Sequence, residues 1–379
     1  MEKAISEQYI WNNHRACFNA SHHTSTPIHL MILLYLLYGC LVLIATLNLL
    51  MMRRPSGVAE VCFEVMIPAR DEEHNLRLVL PPLISGGAKV TVFNDESTDR
   101  TGELAGELGA DVIAPSQALP KGWTGKNRAC HELSRASTHE WVVFLDADTL
   151  PSDNFVAALS HFLASRPDRV RVVSGFPQML PGQGIEPAYL GWVPWILLAA
   201  NPFGLVAVTG KGHVRFTNGQ ITAWRRETLL DAKPFESLKG EILEDVKIGR
   251  MLAKRKEHVE IANLSGILKV RMYWTLAEAI DGMSKNSADI GGSVIGSTCF
   301  AFLLFFIAWG WLIGGRAAFP LLGLLILSKV LTDRIVRAPF WTFPFLPLTV
   351  TAAALTVFRS LLWKQRGAVK WKGRTYDHR

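Results

Sequence analysis

The chain has 379 residues, of which 49% are hydrophobic and 19% are charged, with a net charge of +7. Its length excludes a small disulfide-stabilised scaffold, and its five scattered cysteines include no CxxC pair, which argues against a structural zinc site and favours a reduced, cytoplasmic main domain. Soluble proteins carry about 25% charged residues, so this composition disfavours a fully soluble globule. The positive net charge suits an anionic lipid surface, a phosphorylated substrate or nucleic acid equally well.

The N-terminal part of the chain predicts a membrane anchor. A polar tail at 1–27 is followed by an apolar segment at 28–52 without Lys, Arg, Asp or Glu. This segment exceeds the roughly 20 residues with which a helix crosses a bilayer. Arg53 and Arg54 follow directly, and no small-residue cleavage site is present, so we expect a transmembrane helix and not a signal peptide. The positive-inside rule then predicts that the next domain lies in the cytoplasm.

From 58 to 290 the pattern changes to that of an α/β domain. Short runs rich in β-branched residues predict strands at 61–69, 89–95, 141–148 and 170–176. Between the first two strands, 71–87 has an acidic first turn and a glycine stop, which predicts a helix, and 97–109 begins with a Ser-Thr cap ahead of another helix. Strands that alternate with helices predict a parallel sheet.

Beyond this domain we expect a membrane domain at 291–363 with two or three apolar segments. The apolar runs lie at 290–315, 317–328 and 338–358. The second run is short for a crossing, and the prolines of the third are typical of a broken or re-entrant segment. The basic tail at 364–379 is expected in the cytoplasm, whereas three full crossings would leave it outside. We therefore infer that one of the three segments does not fully span.

A further apolar stretch at 188–208 is interrupted by prolines and is a poor spanning helix. Aromatic side chains are favoured in the headgroup layer of a membrane. We therefore expect this stretch to lie in that layer, with Trp192, Trp195 and Phe203 among the lipid headgroups.

The strongest local signal for chemistry is a pair of carboxylates, Asp146 and Asp148, directly after the predicted strand 141–145. Strand side chains alternate, so we expect both carboxylates to point the same way and to share a hard divalent cation that also holds a diphosphate. The carboxyl ends of strands are where open α/β sheets bind ligands.

Polar residues also follow the other predicted strands. Asn94 and Asp95 reach the same edge of the sheet, where a base or a ribose needs hydrogen-bond partners. The loop before Lys126 contains Gly122 and Gly125, which fits the close approach of a pyrophosphate to backbone and cation. The turn that follows the strand 61–69 supplies Pro68, Ala69, Arg70 and Glu72.

Taken together, these motifs resemble the inverting glycosyltransferases of family 2, which have a GT-A fold. The runs IPARDEE, NDEST, GWTGK and DAD and a later LED occur in the order of that family. Further likeness in VRMYW, GMSKN and VKWKGRTY is closest to membrane-bound lipid and carotenoid glycosyltransferases, including the 4,4'-diaponeurosporenoate, hopanoid-associated and ceramide glucosyltransferase-like groups. The resemblance covers about 62–376.

The resemblance implies a role for each matching residue. Asp95 and Asn94 would contact the uracil or ribose of a nucleotide sugar, alongside the 68–72 turn, and Lys126 would lie near the diphosphate. Asp148, assisted by Asp146, would ligate Mg²⁺ or Mn²⁺. Asp245, with Glu244 beside it, would be the general base. Separately from the resemblance, Arg271, Lys285 and Lys372 or Arg374 are candidates for contacts to the diphosphate product, and the alternative is that they are solvated basic residues at a headgroup surface.

The resemblance also narrows the function. Processive polysaccharide synthases of the family carry a QxxRW motif where this chain has VRMYW, so transfer of one sugar, a hexose from a UDP-sugar, to a membrane lipid or carotenoid-type acceptor is expected. The alternatives are transfer to polyprenyl phosphate, processive polysaccharide synthesis, and a silent membrane protein that binds nucleotide or lipid. Nucleic acid is not an expected partner, because the basic residues do not alternate with stacking aromatics.

Overall fold

The structure, a computed structural model, describes residues 28–241, 243–287 and 290–365 and the backbone of two short strands, β11 (Lys370–Trp371) and β12 (Arg374–Thr375). The predictions for the 1–27 tail, for Lys372 and for most of the basic tail lie outside the described residues.

A seven-stranded mixed sheet forms the centre of the α/β domain. Its order is β3-β2-β1-β4-β8-β6-β9, and β3, β2, β1 and β4 are parallel. A smaller sheet has the order β5-β10-β7. The strands are β1 (Phe63–Ala69), β2 (Lys89–Asn94), β3 (Asp111–Ile113), β4 (Trp141–Leu145), β5 (Thr149–Pro151), β6 (Val170–Phe176), β7 (Gln178–Met179), β8 (Ile221–Arg225), β9 (His258–Asn263) and β10 (Leu268–Val270).

Helices lie on both faces of this sheet and at both ends of the chain. They are α1 (Ile28–Met51), α2 (Glu73–Ser85), α3 (Thr101–Glu107), α4 (Gly125–Ala136), α5 (Phe155–Ala164), α6 (Glu186–Leu190), α7 (Trp192–Ala200), α8 (Phe203–Thr209), α9 (Arg226–Ala232), α10 (Pro234–Ser237), α11 (Glu244–Lys254), α12 (Leu276–Asn286), α13 (Val294–Trp309), α14 (Ala318–Val336) and α15 (Leu346–Gln365). Two 3₁₀ segments, Gly310–Ala317 and Phe340–Phe345, precede α14 and α15.

The strands form because their side chains are buried on both faces. Every residue of β4 is buried, as are all but one of β1, and parallel strands covered on both sides are typically continuous apolar runs. The parallel register places Ala69 beside Asn94, so β1 and β2 end at the same edge. The expected α/β class, with apolar helices at both ends of the chain, is confirmed.

Among the residues that the structure describes, three helical stretches are long and apolar enough to cross a membrane: Ile28–Met51, Val294–Val336 and Phe340–Lys364. The Tyr38 hydroxyl of α1 donates to the Ile307 carbonyl of α13 at 2.8 Å, which joins the first two stretches. Ile335 and Val336, at the end of α14, pack in one cluster with Met52 and with strand residues of the main sheet. Arg359 of α15 pairs with Asp281 of α12 at 2.5 Å. The Val294–Val336 stretch therefore returns to the α/β domain, and the last stretch also ends beside it.

The aromatic rings of the stretch at 188–208 do not lie where the sequence analysis predicts. It forms α7 and α8, bent by 41°, but Trp192, Trp195 and Phe203 are all buried within the protein. Trp195 donates to the Ser328 hydroxyl of α14 at 2.9 Å. Because neighbouring apolar helices cover these rings, they contribute packing and not a headgroup anchor.

A buried asparagine of α1 supports the bend between α7 and α8. The Asn48 side chain donates to the carbonyls of Leu198 and Asn201, each at 2.7 Å, and accepts from the Gly204 amide at 2.8 Å. Backbone groups at a helix break lack their helical partners and are costly to bury unpaired. Asn48 thus supplies hydrogen-bond partners to the backbone groups at this break. It lies in a helix that the sequence analysis treats as purely apolar.

Candidate functional site

A cleft of about 920 Å³, which includes space open to solvent, lies at the carboxyl edge of β1, β2 and β4. We call it the donor cleft. Eight of the predicted residues line it: Pro68, Ala69, Arg70, Glu72, Asp95, Lys126, Asp146 and Asp148. The parallel register explains the convergence, because residues after neighbouring parallel strands meet at one edge.

The corner between β1 and β2 holds a buried carboxylate. The Asp95 amide donates to the Ala69 carbonyl at 2.8 Å, and Arg70 Nη1 lies 3.8 Å from Asp95 Oδ2. Asp95 is 4% exposed, so its carboxylate is held in place by its surroundings. Asn94, in contrast, is absent from the cleft lining, and its Oδ1 accepts from the Ser97 amide at 3.3 Å. The structure gives Asn94 a role in shaping the turn that carries Asp95.

Asp146 and Asp148 lie on a turn and not on a strand. β4 ends at Leu145, and both the amide and the hydroxyl of Thr149 donate to the Asp146 carbonyl, at 3.2 and 2.7 Å. The strand alternation expected from the sequence is therefore wrong for this pair. Both residues nevertheless line the donor cleft, with Asp146 partly buried and Asp148 exposed.

Lys126 connects the donor cleft to a second cavity. Its Nζ lies 2.9 Å from Asp146 Oδ1 and 3.0 Å from Glu244 Oε1. Thr124 caps α4 by accepting from the Asn127 amide at 3.2 Å, which fixes Lys126 in the first turn of the helix. Burial lowers the pKa of the Lys126 ammonium, but the Asp146 and Glu244 carboxylates outweigh burial and raise it well above its usual value. Lys126 therefore stays charged.

The second cavity, which we call the inner pocket, has a volume of about 320 Å³, which includes space open to solvent, and it brings Glu244 and Asp245 next to Lys126 and Asp146. Both carboxylates lie in the first turn of α11. Asp245 Oδ1 accepts from the Val246 amide at 2.7 Å, and Asp245 Oδ2 accepts from the Gly219 amide at 3.4 Å. Burial first, and then the Glu244 carboxylate, raise the pKa of Asp245 from its usual value to about 6.

The turn before β8 closes the inner pocket, and sequence reasoning missed it. The Asp146 amide donates to the Gln220 carbonyl at 3.1 Å, and the Thr217 hydroxyl donates to the Asp245 carbonyl at 2.7 Å. A Cβ at Gly219 would lie 3.4 Å from both Asp245 Oδ2 and Lys126 Nζ. A side chain there would enter the space between the acid and the ammonium. The run TNGQ, which precedes a strand, was the available signal.

Sequence reasoning also missed Met272 and Tyr273, which line the donor cleft opposite the sheet. Both follow β10 and precede α12, in the VRMYW run that drew attention to Arg271. Burial, and then the Asp148 carboxylate, raise the pKa of Tyr273 to about 12, so the phenol stays protonated. Arg271 itself stacks on Trp274, with its guanidinium carbon 4.0 Å from the ring centroid.

Four further residues are predicted to contact a diphosphate product. Arg271 and Lys285 are not among the cleft residues, and Lys285 lies in the last turn of α12. Arg374 is described only by its backbone in β12, and Lys372 lies outside the described residues. Their contacts with a diphosphate product stay predictions.

The donor set of the cleft fits a hard cation completed by substrate. Asp146 and Asp148 offer carboxylate oxygens, and Mg²⁺ typically binds through one or two carboxylates together with substrate phosphates. In the described part of the chain, no group of three or more His, Cys, Asp or Glu side chains is arranged to hold a metal by itself. The residues present therefore fit a cation shared with a diphosphate.

Comparison with known proteins shows the family to which this chain belongs. A model described as "Glycosyltransferase like family 2" matches residues 60–267, which is more than half of the chain. The 4,4'-diaponeurosporenoate glycosyltransferase of Staphylococcus haemolyticus is 24% identical over 294 residues, covering 74% of each chain. The Staphylococcus aureus (strain MRSA252) protein of the same name is 23% identical, covering 83% of this chain and 88% of its own.

Two solved structures are also similar. Glucosyl-3-phosphoglycerate synthase from Mycobacterium tuberculosis, in complex with Mn²⁺, UDP and glucosyl-3-phosphoglycerate, is 21% identical, with a TM-score of 0.38 over 60% of this chain and 82% of its own. Residues 1–349 of TarS from S. aureus are 13% identical, with a TM-score of 0.40 over 83% of this chain and 97% of that one. The match of the family model over more than half of the chain establishes that this protein belongs to the glycosyltransferase like family 2, whose fold is of the GT-A type.

Proposed function

We propose that this chain is a membrane-bound inverting glycosyltransferase that transfers a single hexose from a UDP-sugar to a carotenoid-type acceptor. The observation that carries the proposal is the pairing of two cavities. The donor cleft and the inner pocket share Pro68, Lys126 and Asp146, so a donor in the first lies beside the carboxylates of the second. A family 2 member needs this juxtaposition of a diphosphate site and a base.

The donor cleft offers separate groups for each part of a nucleotide sugar. Asp95, buried at the β1–β2 corner, accepts hydrogen bonds from the base or ribose. Lys126 contacts Asp146 in the donor cleft and Glu244 in the inner pocket, and the diphosphate would bind beside it. The ammonium offsets negative charge that develops on the leaving diphosphate.

A divalent cation, Mg²⁺ or Mn²⁺, would be held by Asp148 with Asp146. When bound, it supplies electrostatic stabilisation of the departing diphosphate oxygens. Asp148 is the exposed member of the pair, and we propose it as the main protein ligand.

Asp245 is the proposed general base. The acceptor oxygen attacks the anomeric carbon, the bond from that carbon to the diphosphate oxygen breaks, and UDP leaves with the electron pair. The proton of an acceptor hydroxyl passes to the Asp245 carboxylate, whose pKa of about 6 suits a base near neutral pH. Attack from the face opposite the leaving group gives inversion.

The acceptor class follows from the relatives and from the apolar helices. The relatives are named for 4,4'-diaponeurosporenoate, an apolar acid, and the described part of the chain contains three stretches able to cross a membrane. An acceptor dissolved in the bilayer is then concentrated near the α/β domain without extraction into water. If the reacting group is already a carboxylate, Asp245 has no proton to remove.

We also propose that the protein is multi-pass in the cell membrane, with the α/β domain in the cytoplasm. Arg53 and Arg54 follow α1, and the end of α14 packs against Met52 beside the main sheet. Cysteines introduced at Val58 and Leu312, in a variant without native cysteines, test the orientation with an impermeant maleimide on intact cells. Labelling of Leu312→Cys alone is expected, whereas labelling of Val58→Cys before permeabilisation would overturn the orientation.

The decisive experiment incubates membranes that contain the full-length chain with radiolabelled UDP-glucose, UDP-N-acetylglucosamine and other donors. Organic extracts are then analysed by mass spectrometry, with and without EDTA. One added hexose per lipid is expected, and EDTA is expected to abolish it. A product with many sugars would instead indicate processive synthesis, and a labelled polyprenyl phosphate would indicate the other alternative.

Asp245→Asn is the test variant for a hydroxyl acceptor, and Asp153→Asn is the matched control because Asp153 is exposed and is not part of the cleft lining. Full transfer by Asp245→Asn to a hydroxyl acceptor would overturn the assignment of the base. The absence of labelled lipid with every donor, while UDP still binds, would favour a silent binding protein.

A further inference from the structure

A group of exposed cations surrounds the end of α1 where the chain enters the α/β domain. Arg54, Arg169, Lys211 and Arg215 are the exposed cations, and the His213 side chain is exposed in the same loop as Lys211 and Arg215. Among the residues that the structure describes, the ion pairs within 4.0 Å do not involve any of these five. Exposed cations are usually offset by nearby acids, so this surface has charge left for a partner.

Packing holds these cations on one side of the molecule. Glu260 lies 3.8 Å from Arg53 and 2.8 Å from Arg166, which ties the turn that leads to Arg169 to the end of α1. A Cβ at Gly210 would lie 3.1 Å from Arg169 Nε, so the loop after α8 meets the same turn. Val214 of that loop packs in one cluster with Met52.

Exposed aliphatic side chains lie beside the cations. On α8, Leu205 is 37% and Val208 is 48% exposed, and Lys211 follows within one turn of Val208. Gly204 of the same helix packs against the backbone of Met51 and Met52, at the end of a helix able to cross the membrane. Aliphatic residues next to Lys and Arg, close to the end of a membrane-crossing helix, are typical of a segment that lies in the headgroup layer.

We infer that Arg54, Arg169, Lys211, His213 and Arg215, together with Leu205 and Val208, form a binding surface for anionic phospholipid headgroups. We call it the basic collar. Bilayer phosphates complement its charge, and the acyl chains cover its aliphatic residues. Single-stranded nucleic acid fits less well, because it needs exposed rings for stacking. Here Phe203 and Phe216 pack against Phe176, with ring centroids 5.9 and 5.8 Å away.

The test titrates the full-length chain in detergent with phosphatidylglycerol or phosphatidylcholine and counts retained lipids by native mass spectrometry. The wild-type chain is expected to retain phosphatidylglycerol preferentially, and high salt is expected to weaken this preference. Lys211→Gln combined with Arg215→Gln is expected to weaken phosphatidylglycerol binding about tenfold and to leave phosphatidylcholine binding unchanged.

The matched control combines Arg77→Gln with Arg135→Gln, which removes the same charge from exposed positions on α2 and α4. It is expected to bind both lipids as the wild type does, and equal melting temperatures of the two double variants show that both are folded. Equal retention of both lipids by the wild type, or an unchanged phosphatidylglycerol affinity of the collar variant, would overturn the inference. Displacement of the lipid by a short RNA, or by inorganic phosphate more effectively than by sodium chloride at the same ionic strength, would also overturn it. The assay contains neither donor nor acceptor, so its failure leaves the proposed activity untouched.

Discussion

The donor cleft and the inner pocket share a wall but differ in exposure. The cleft is about 920 Å³ and presents the exposed Asp148, whereas the inner pocket is about 320 Å³ and holds Asp245, whose pKa is raised by burial and then by the Glu244 carboxylate. A solvated carboxylate ionises readily and suits a cation, while a desolvated one has a raised pKa and suits proton transfer. Asp146 and Glu244 both contact Lys126, so the two cavities lie next to each other while the acids that they hold differ in burial and in neighbouring charge.

Removal of the inner carboxylate is expected to give the largest effect. Asp245→Asn should lower kcat for a hydroxyl-bearing acceptor by about 10² to 10⁴-fold, the usual contribution of a general base. UDP affinity should change little, because Asp245 does not line the donor cleft. Steady-state kinetics and UDP titration measure both quantities. A kcat within about threefold of the wild-type value would show that the inner pocket does not hold the general base.

Removal of the Asp148 carboxylate from the donor cleft is expected to lower the affinity for the metal. Asp148→Asn should weaken Mn²⁺-dependent UDP binding by about 100-fold, because the cation loses its exposed ligand. Calorimetric titration of UDP with and without Mn²⁺ measures this without turnover. Asp153→Asn should behave as wild type. Metal-independent UDP binding by the wild-type chain would show that the cleft works without a cation.

The raised pKa of Asp245 predicts a pH profile. The ionised form accepts the proton, so kcat/KM for a hydroxyl acceptor should be level above pH about 6 and fall about tenfold per pH unit below it. In Asp245→Asn this acid limb should vanish. If kcat/KM of the wild type fell only near the ordinary pKa of an Asp side chain, the inner pocket would not desolvate Asp245.

The wall opposite the sheet depends on a close contact. A Cβ at Gly282, inside α12, would lie 2.1 Å from the Tyr273 hydroxyl. Gly282→Ala should therefore displace Tyr273, cost about 1–3 kcal/mol of stability and raise KM for the donor several-fold. Gly106→Ala on α3 is the control, since nothing lies within 4 Å of its Cβ. Equal behaviour of the two variants would exclude Tyr273 from positioning the donor.

The smallest effect concerns stability. Because the pKa of Asp245 is raised in the folded chain, its ionised form is favoured in the unfolded chain, and ionisation lowers stability as pH rises towards about 6. Asp245→Asn should then raise the free energy of unfolding by about 1 kcal/mol at neutral pH and have no such effect near pH 4. Thermal melts at the two pH values measure the difference. A variant that melts lower at neutral pH would contradict the burial of the acid.

Much of the donor cleft was predictable because it depends on local order. Asp95 and Asp146 directly follow strands whose apolar runs are readable, and parallel strands end at one edge. The geometry of Asp146 and Asp148 was predicted wrongly, because only the hydrogen bonds of Thr149 show that the strand has already ended. The polar role of Asn48 was missed for a related reason, since its partners lie about 150 residues away.

The α/β class, the apolar helices at both ends and the acids at the strand ends could be predicted from the sequence, because each depends on neighbours in the chain. The bridge from Lys126 to Asp146 and Glu244 and the place of Tyr273 in the cleft arise only from packing. These contacts join residues far apart in sequence, and periodicity carries no information about such distances. Burial, which sets the pKa of Asp245, likewise arises only when the separate segments pack together.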